Sequence, residues 1–138
     1  MAASVSDLLT ALKTAWDAES SLSSFGGPYR DREPADASPS FPYVIIQTLP
    51  STLEAYTSRK ESWQDRLEFR IFNSNPEAAS ANAKVVAAVF DSLLPTLASG
   101  QGRIFRVRRE GESSEEEDKG VWRHVLTYSY LRAVDRAS

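Results

Sequence analysis

Three groups of residues in this chain have the types and spacing for chemistry or for specific recognition. The segment from Glu110 to Gly120 holds six acidic side chains, at 110, 112, 115, 116, 117 and 118. Just before it, Arg103 to Arg109 holds four arginines interleaved with Phe105 and Val107. His124, the one histidine, follows in an apolar stretch. None of these makes a catalytic constellation. A lone histidine, in a chain without cysteine, lacks companions for a zinc site, and no serine motif accompanies it to form a triad. The acidic spacing does not fit a calcium loop. Gly26-Gly27 has neither a preceding strand nor a following lysine-serine pair, so it is not a phosphate loop. The residues therefore point to surfaces rather than to a reaction. The acidic run reads as a solvated hairpin tip, or as a negative surface that repels phosphates. The arginines read as a strand face paired with Glu110, Glu112 or Glu68, or as a subunit interface, since arginine suits planar pairing with carboxylates. A strip for nucleic acid is the third reading of Arg103–Arg109.

The elements that must carry these groups are legible from periodicity. Val5, Leu8, Leu9, Leu12 and Trp16 recur at helical spacing, with Asp7 near the favourable end of the dipole. This predicts a first helix that fades near Leu22 to Ser24 and ends by Gly26-Gly27-Pro28. Residues 26–40 read as a flexible loop containing Pro34 and Pro39. Phe41 to Leu49 is a strand begun by Pro42, followed by a polar connection from Pro50 to Lys60. Ser62 to Phe72 alternates, with Trp63, Leu67, Phe69 and Ile71 on the buried side and Gln64, Arg66, Glu68 and Arg70 on the other. Asp65 interrupts the buried row. Asn75, Pro76 and Glu77 open a second helix running to about Leu94, more apolar than one covered stripe requires. Residues 104–109 and 121–134 are the last strands. Trp122, Leu126, Tyr128 and Tyr130 share one face, with Trp16 a packing partner.

The expectation is one α+β domain over 1–138: a mainly antiparallel sheet of about four strands packed by two helices, with a long acidic hairpin tipped by residues 110–120. Length, 41% hydrophobic and 25% charged content are ordinary for a globular domain, and a net charge of −3 gives no general attraction to nucleic acid. No signal peptide or membrane-spanning run is visible. No cofactor, metal or enzymatic activity is expected.

The ordered set of elements resembles the tail-terminator and tail-completion proteins of long-tailed bacteriophages and related prophage elements. The likeness runs from the helix around Leu8 to Leu12, through the proline-bearing loop 32–39 into Phe41-Pro-Tyr-Val-Ile-Ile46. It continues along Arg66 to Phe72 and the helix from Pro76 to a last strand ending near Arg132. The acidic insertion from Glu112 to Asp118 departs from the pattern. The resemblance implies a homo-oligomeric ring, typically hexameric, that caps the tail tube, meets neck and connector proteins, and lets DNA pass without sequence-specific binding. The implied location is the virion, after assembly in the host cytoplasm. A neck adaptor or head-completion protein, or a monomeric nucleic-acid-binding module, are the alternatives. In the ring reading, Arg66, Arg70, Arg106, Arg108, Val86 and Phe90 are candidates for the subunit interface. Glu115, Glu116, Glu117 and Asp118 are candidates for the lumen or a partner dock.

Overall fold

The computed structural model describes residues 5–30, 40–56, 59–98 and 102–135. Its elements are α1 (Val5–Asp17), β1 (Gly26–Arg30), β2 (Tyr43–Tyr56), β3 (Lys60–Asn73), α2 (Pro76–Phe90), β4 (Arg103–Asp118) and β5 (Val121–Asp135), with a short 3-10 turn at Ser20–Leu22. The strands form one sheet in the order β1-β2-β3-β5-β4. Every pairing is antiparallel except β1 with β2. The expected α+β class with two helices is therefore observed, with five strands in place of four.

The fifth strand comes from a segment read as loop. Gly26–Arg30 pairs parallel with the start of β2. Gly27 has φ +93°, and a Cβ there would lie 2.6 Å from the Val44 carbonyl oxygen, so only glycine lets the backbone come this close. The rest of the expected loop, residues 31–39, lies outside the described residues.

Other boundaries also move. α1 ends at Asp17, ahead of the predicted Leu22. α2 is capped as expected, the Asn75 side chain accepting from the Ala78 N–H at 2.8 Å, but stops at Phe90 rather than Leu94. The supposed connection from Pro50 is strand as far as Tyr56, because β2 and β3 continue as a paired ribbon. The acidic tip is strand too. β4 runs to Asp118 and turns through Lys119-Gly120, with Gly120 at φ +77° in the conformation a two-residue hairpin turn needs. Pairing to β5 supplies the hydrogen bonds that a solvated loop would take from water.

Both helices cover one side of the sheet. Leu8, Leu12 and Trp16 of α1 and Ala83, Val86 and Phe90 of α2 pack with Val44, Leu67, Phe69, Ile71, Leu126, Tyr128 and Tyr130. Trp16 stacks on Phe69 and Phe90, and Phe69 meets Tyr128 edge-on at 5.5 Å. The tryptophan thus reaches the last strand through Phe69, a bridge the sequence reading had not placed. Period two then dictates that the intervening residues of β2, β3 and β5 face the other way, where no helix lies among the described residues.

Candidate functional site: the open face of the sheet

The uncovered side is a mixed surface built in cross-strand rows. Strand registers align Tyr43, Phe72, Arg123 and Glu115 across four strands. The next rows are Ile45, Arg70, Val125 and Ser113, then Gln47, Glu68, Thr127 and Gly111, then Leu49, Arg66, Ser129 and Arg108. Arg106 lies opposite Leu131, whose other neighbour is Gln64. The structure thus brings Arg66, Arg70, Arg106 and Arg108 onto one face through the registers of β3 and β4 with β5.

Their electrostatic situations differ. Arg66 Nε bonds Glu110 Oε1 at 3.1 Å across the intervening β5, and Arg70 Nε bonds Glu68 Oε2 at 3.0 Å along its own strand. Arg106 and Arg108 are exposed and have no carboxylate partner among the described residues. An aromatic cluster closes the β1 end of the face. Tyr43 stacks on Phe72 at 4.7 Å and on Phe41 at 5.8 Å, with Tyr29 against its edge and Ile45 alongside.

Val86 and Phe90 do not belong to this surface. Both have no exposed area and fill the core beneath α2, so they are not available to a neighbouring subunit, a correction to the interface expectation. The four acidic candidates are also separated. Glu115 and Glu117 approach Arg123 from the open side, Glu116 pairs in register with Trp122 on the helix side, and Asp118 accepts the Lys119 N–H at 2.8 Å within the turn. Strand alternation divides what a loop would have presented as one patch.

On the helix side, His124 is nearly buried and its Nε2 lies 2.9 Å from Glu112 Oε2. This contact, with burial opposing it, holds the Glu112 carboxyl below its ordinary range. His124, Ser114, Glu77, Ser80 and Lys84 line an open depression of about 570 Å³. Among the described residues no group of three or more His, Cys, Asp or Glu side chains could hold a metal ion. Among the described residues no helix is long and apolar enough to cross a membrane.

Sequence reasoning noticed Asp65 but missed its partner. Asp65 is fully buried and receives Arg132 Nε at 2.6 Å, Arg132 Nη2 at 3.1 Å and the Ser51 hydroxyl at 2.7 Å. The Arg132 guanidinium also lies 6.0 Å from the Trp63 ring centroid. The signal was present: Arg132 continues the buried row Leu126, Tyr128, Tyr130, just as Asp65 interrupts the row on β3. Two opposite charges at buried positions of paired strands predict each other. At the far end of α2, Asp91 accepts the Tyr128 hydroxyl at 2.5 Å and lies 3.6 Å from Arg109 Nε, tying the helix terminus to β5 and β4.

Neither a protein-family model nor a curated protein matches the sequence. Among solved structures the fold is similar to a chain from the virion of a native gene transfer agent (GTA) particle. The TM-score is 0.69 at 13% identity, over 91% of this chain and 94% of that one. The two chains share a fold across nearly their whole lengths.

Proposed function

We propose that this chain is a structural component of a phage-like virion, and that it forms a ring in the tail or neck. In this reading the ring caps the tail tube, joins it to the head connector, and lets DNA pass through its centre. The observation that carries the proposal is the near-complete fold match to a chain of a gene transfer agent virion. The open face supports it. A broad sheet surface with two arginines that have no carboxylate partner among the described residues, and an aromatic cluster, suits contact with another protein, because arginine and aromatic side chains dominate such contacts.

Arg66, Arg70, Arg106 and Arg108 are the proposed inter-subunit residues. The end of the β4–β5 hairpin, with Glu115, Glu116, Glu117 and Asp118, is the proposed lumen or connector side, where negative charge keeps passing DNA from sticking. Ring closure would come from head-to-tail contacts between unlike surfaces of successive copies. A position on the portal side of the neck is the closest alternative, since an adaptor there would share the ring and the DNA passage.

Native mass spectrometry with negative-stain microscopy over a range of concentrations, with and without tail-tube ends, tests this. A closed ring with a central hole, free or seated on a tube end, is the expected result. A chain that stays monomeric with tube ends present, and binds DNA with steep salt dependence, would replace this reading with that of a nucleic-acid-binding module acting through Arg103–Arg109.

A further inference from the structure

β4 is an edge strand, paired on one side to β5 and on the other to no strand among the described residues. Its 16 residues are exposed almost throughout. An edge of this length offers a long row of outward N–H and C=O groups, which is a template for another strand. Charge on an edge ordinarily deters such pairing. In β4, however, the charges are sorted. Arg103, Arg106, Arg108 and Arg109 come first, and Glu110, Glu112, Glu115, Glu116, Glu117 and Asp118 follow. A strand that is basic at one end and acidic at the other repels its own parallel image and attracts its antiparallel one.

We propose that the free edge of β4 pairs antiparallel with β4 of a second copy of this chain, making a two-fold dimer with one continuous sheet. The register that sets Arg108 opposite Glu115 and Arg106 opposite Glu117 preserves the facing of every one of these residues. Arg106 and Arg108 sit beside Leu131 and Ser129 on the open face, and Glu115 and Glu117 reach Arg123 on that same face. Counted past the bulge at Glu110, the two-fold axis then passes at Glu112, whose carboxyl turns to the helix side toward His124. The two glutamates already contact Arg123, but a carboxylate has room for several donors. Arg106 and Arg108, which have no carboxylate partner among the described residues, gain one from the other copy. Such pairing is isologous; it takes Arg106 and Arg108 out of the head-to-tail contact of the ring reading and leaves ring closure to the Arg66 and Arg70 side of the face, so it can join two rings or two free protomers.

A charge-swap experiment decides it. One variant carries Arg106→Glu and Arg108→Glu, the other Glu115→Arg and Glu117→Arg, each checked for folding by circular dichroism. Sedimentation and native mass spectrometry of the wild type should show a concentration-dependent dimer or an even pairing of larger assemblies. Each variant alone should pair about 100-fold more weakly, because four attractive contacts become repulsive. An equimolar mixture should form the mixed pair selectively, and a chain carrying all four changes should regain self-pairing. Absence of pairing in the wild type, or pairing that neither variant weakens and the mixture does not favour, overturns the proposal. A ring that forms normally while the mixture shows no selectivity sinks the β4 contact and spares the ring; selective pairs without rings do the reverse.

Discussion

The two faces of the sheet are built from the same strands, yet neighbouring residues of β3 meet opposite fates. Leu67, Phe69 and Ile71 have no exposed surface beneath the helices, while Arg66, Glu68 and Arg70 between them stay partly exposed. The covered face admits charge only under strict conditions. Asp65 and Arg132 are there because each satisfies the other through two short contacts, with Ser51 and Trp63 completing the enclosure. On the open face charges pair loosely, along a strand or across one, and Arg106 and Arg108 carry theirs toward solvent. The difference teaches where this protein stores stability and where it keeps surface to spend on contacts. A buried pair is intolerant of losing one partner, whereas an exposed pair is worth little to folding.

The sharpest way to break this contrast is to strand one buried charge. Asp65→Ala should destabilise by about 3–5 kcal/mol in chemical denaturation, since Arg132 is left buried without a counter-charge. Replacing both, with Asp65→Leu and Arg132→Met, should recover much of that loss. Equal losses for the single and double variants would mean that the pair matters for shape rather than for charge.

The next comparison sets adjacent residues of β3 against each other. Phe69→Ala removes the ring that joins Trp16, Phe90 and Tyr128, and should cost about 3–5 kcal/mol. Arg70→Ala, one residue along and on the other face, should change stability by no more than about 0.5 kcal/mol. Similar losses at both positions would show that the open face is part of the core after all.

A smaller effect tests the tie at the end of α2. Burial first, and then the bond to Asp91, raise the Tyr128 hydroxyl above its ordinary value of 10.0. A group raised on folding stabilises fully below its unfolded value, and that contribution is lost as pH climbs past it. Stability should therefore fall as pH rises above about 10, and Tyr128→Phe should lose about 1 kcal/mol at neutral pH while softening the alkaline decline. Tyr130, raised chiefly by burial, leaves a residual slope. An unchanged alkaline limb in Tyr128→Phe would remove Tyr128 from this account.

The smallest effect lies on the exposed hairpin. Glu112 is held below its ordinary 4.5, with the His124 contact as the main cause. A carboxyl lowered on folding contributes above its unfolded value, and the contribution fades as pH falls through the folded one. Thermal midpoints should therefore drop slightly in the acid range below about pH 4.5, and Glu112→Gln should flatten that drop. Identical acid limbs for the two proteins would show that the contact is too weakly held to matter.

Much of the fold was legible because its signals are local. Alternation in Ser62–Phe72 separated the two faces of β3, and Asn75-Pro76-Glu77 marked the start of α2 through a cap that the structure contains. Alternation likewise set Arg66 and Arg70 apart from the buried row of β3, whereas their sharing a face with Arg106 and Arg108 rests on the register through β5. What stayed hidden depends on partners distant in sequence. Gly26–Arg30 becomes a strand only because β2 lies beside it, and the acidic segment 110–118 extends only because β5 pairs with it from Gly111 to Asp118, with an irregularity at Glu117. Its composition favours a solvated loop, and tertiary hydrogen bonding overrides that preference. Val86 and Phe90 resembled surplus apolar surface on an over-apolar helix, until the sheet beneath them and Trp16 beside them used that surface up.

By itself, then, the chain determined helix starts, strand alternation and the α+β class, because these follow from dihedral geometry and from which side chains water rejects. Only the tertiary structure decided which charges would be buried together, which strand would be left as a free edge, and how the acids of the hairpin would divide between two faces. Those outcomes depend on register between segments tens of residues apart, such as Asp65 and Arg132, whose short contact spans 67 positions of sequence. No local pattern sets that register. It follows from joint burial of both faces' neighbours, where a slip of one residue would expose the core and bury the arginines.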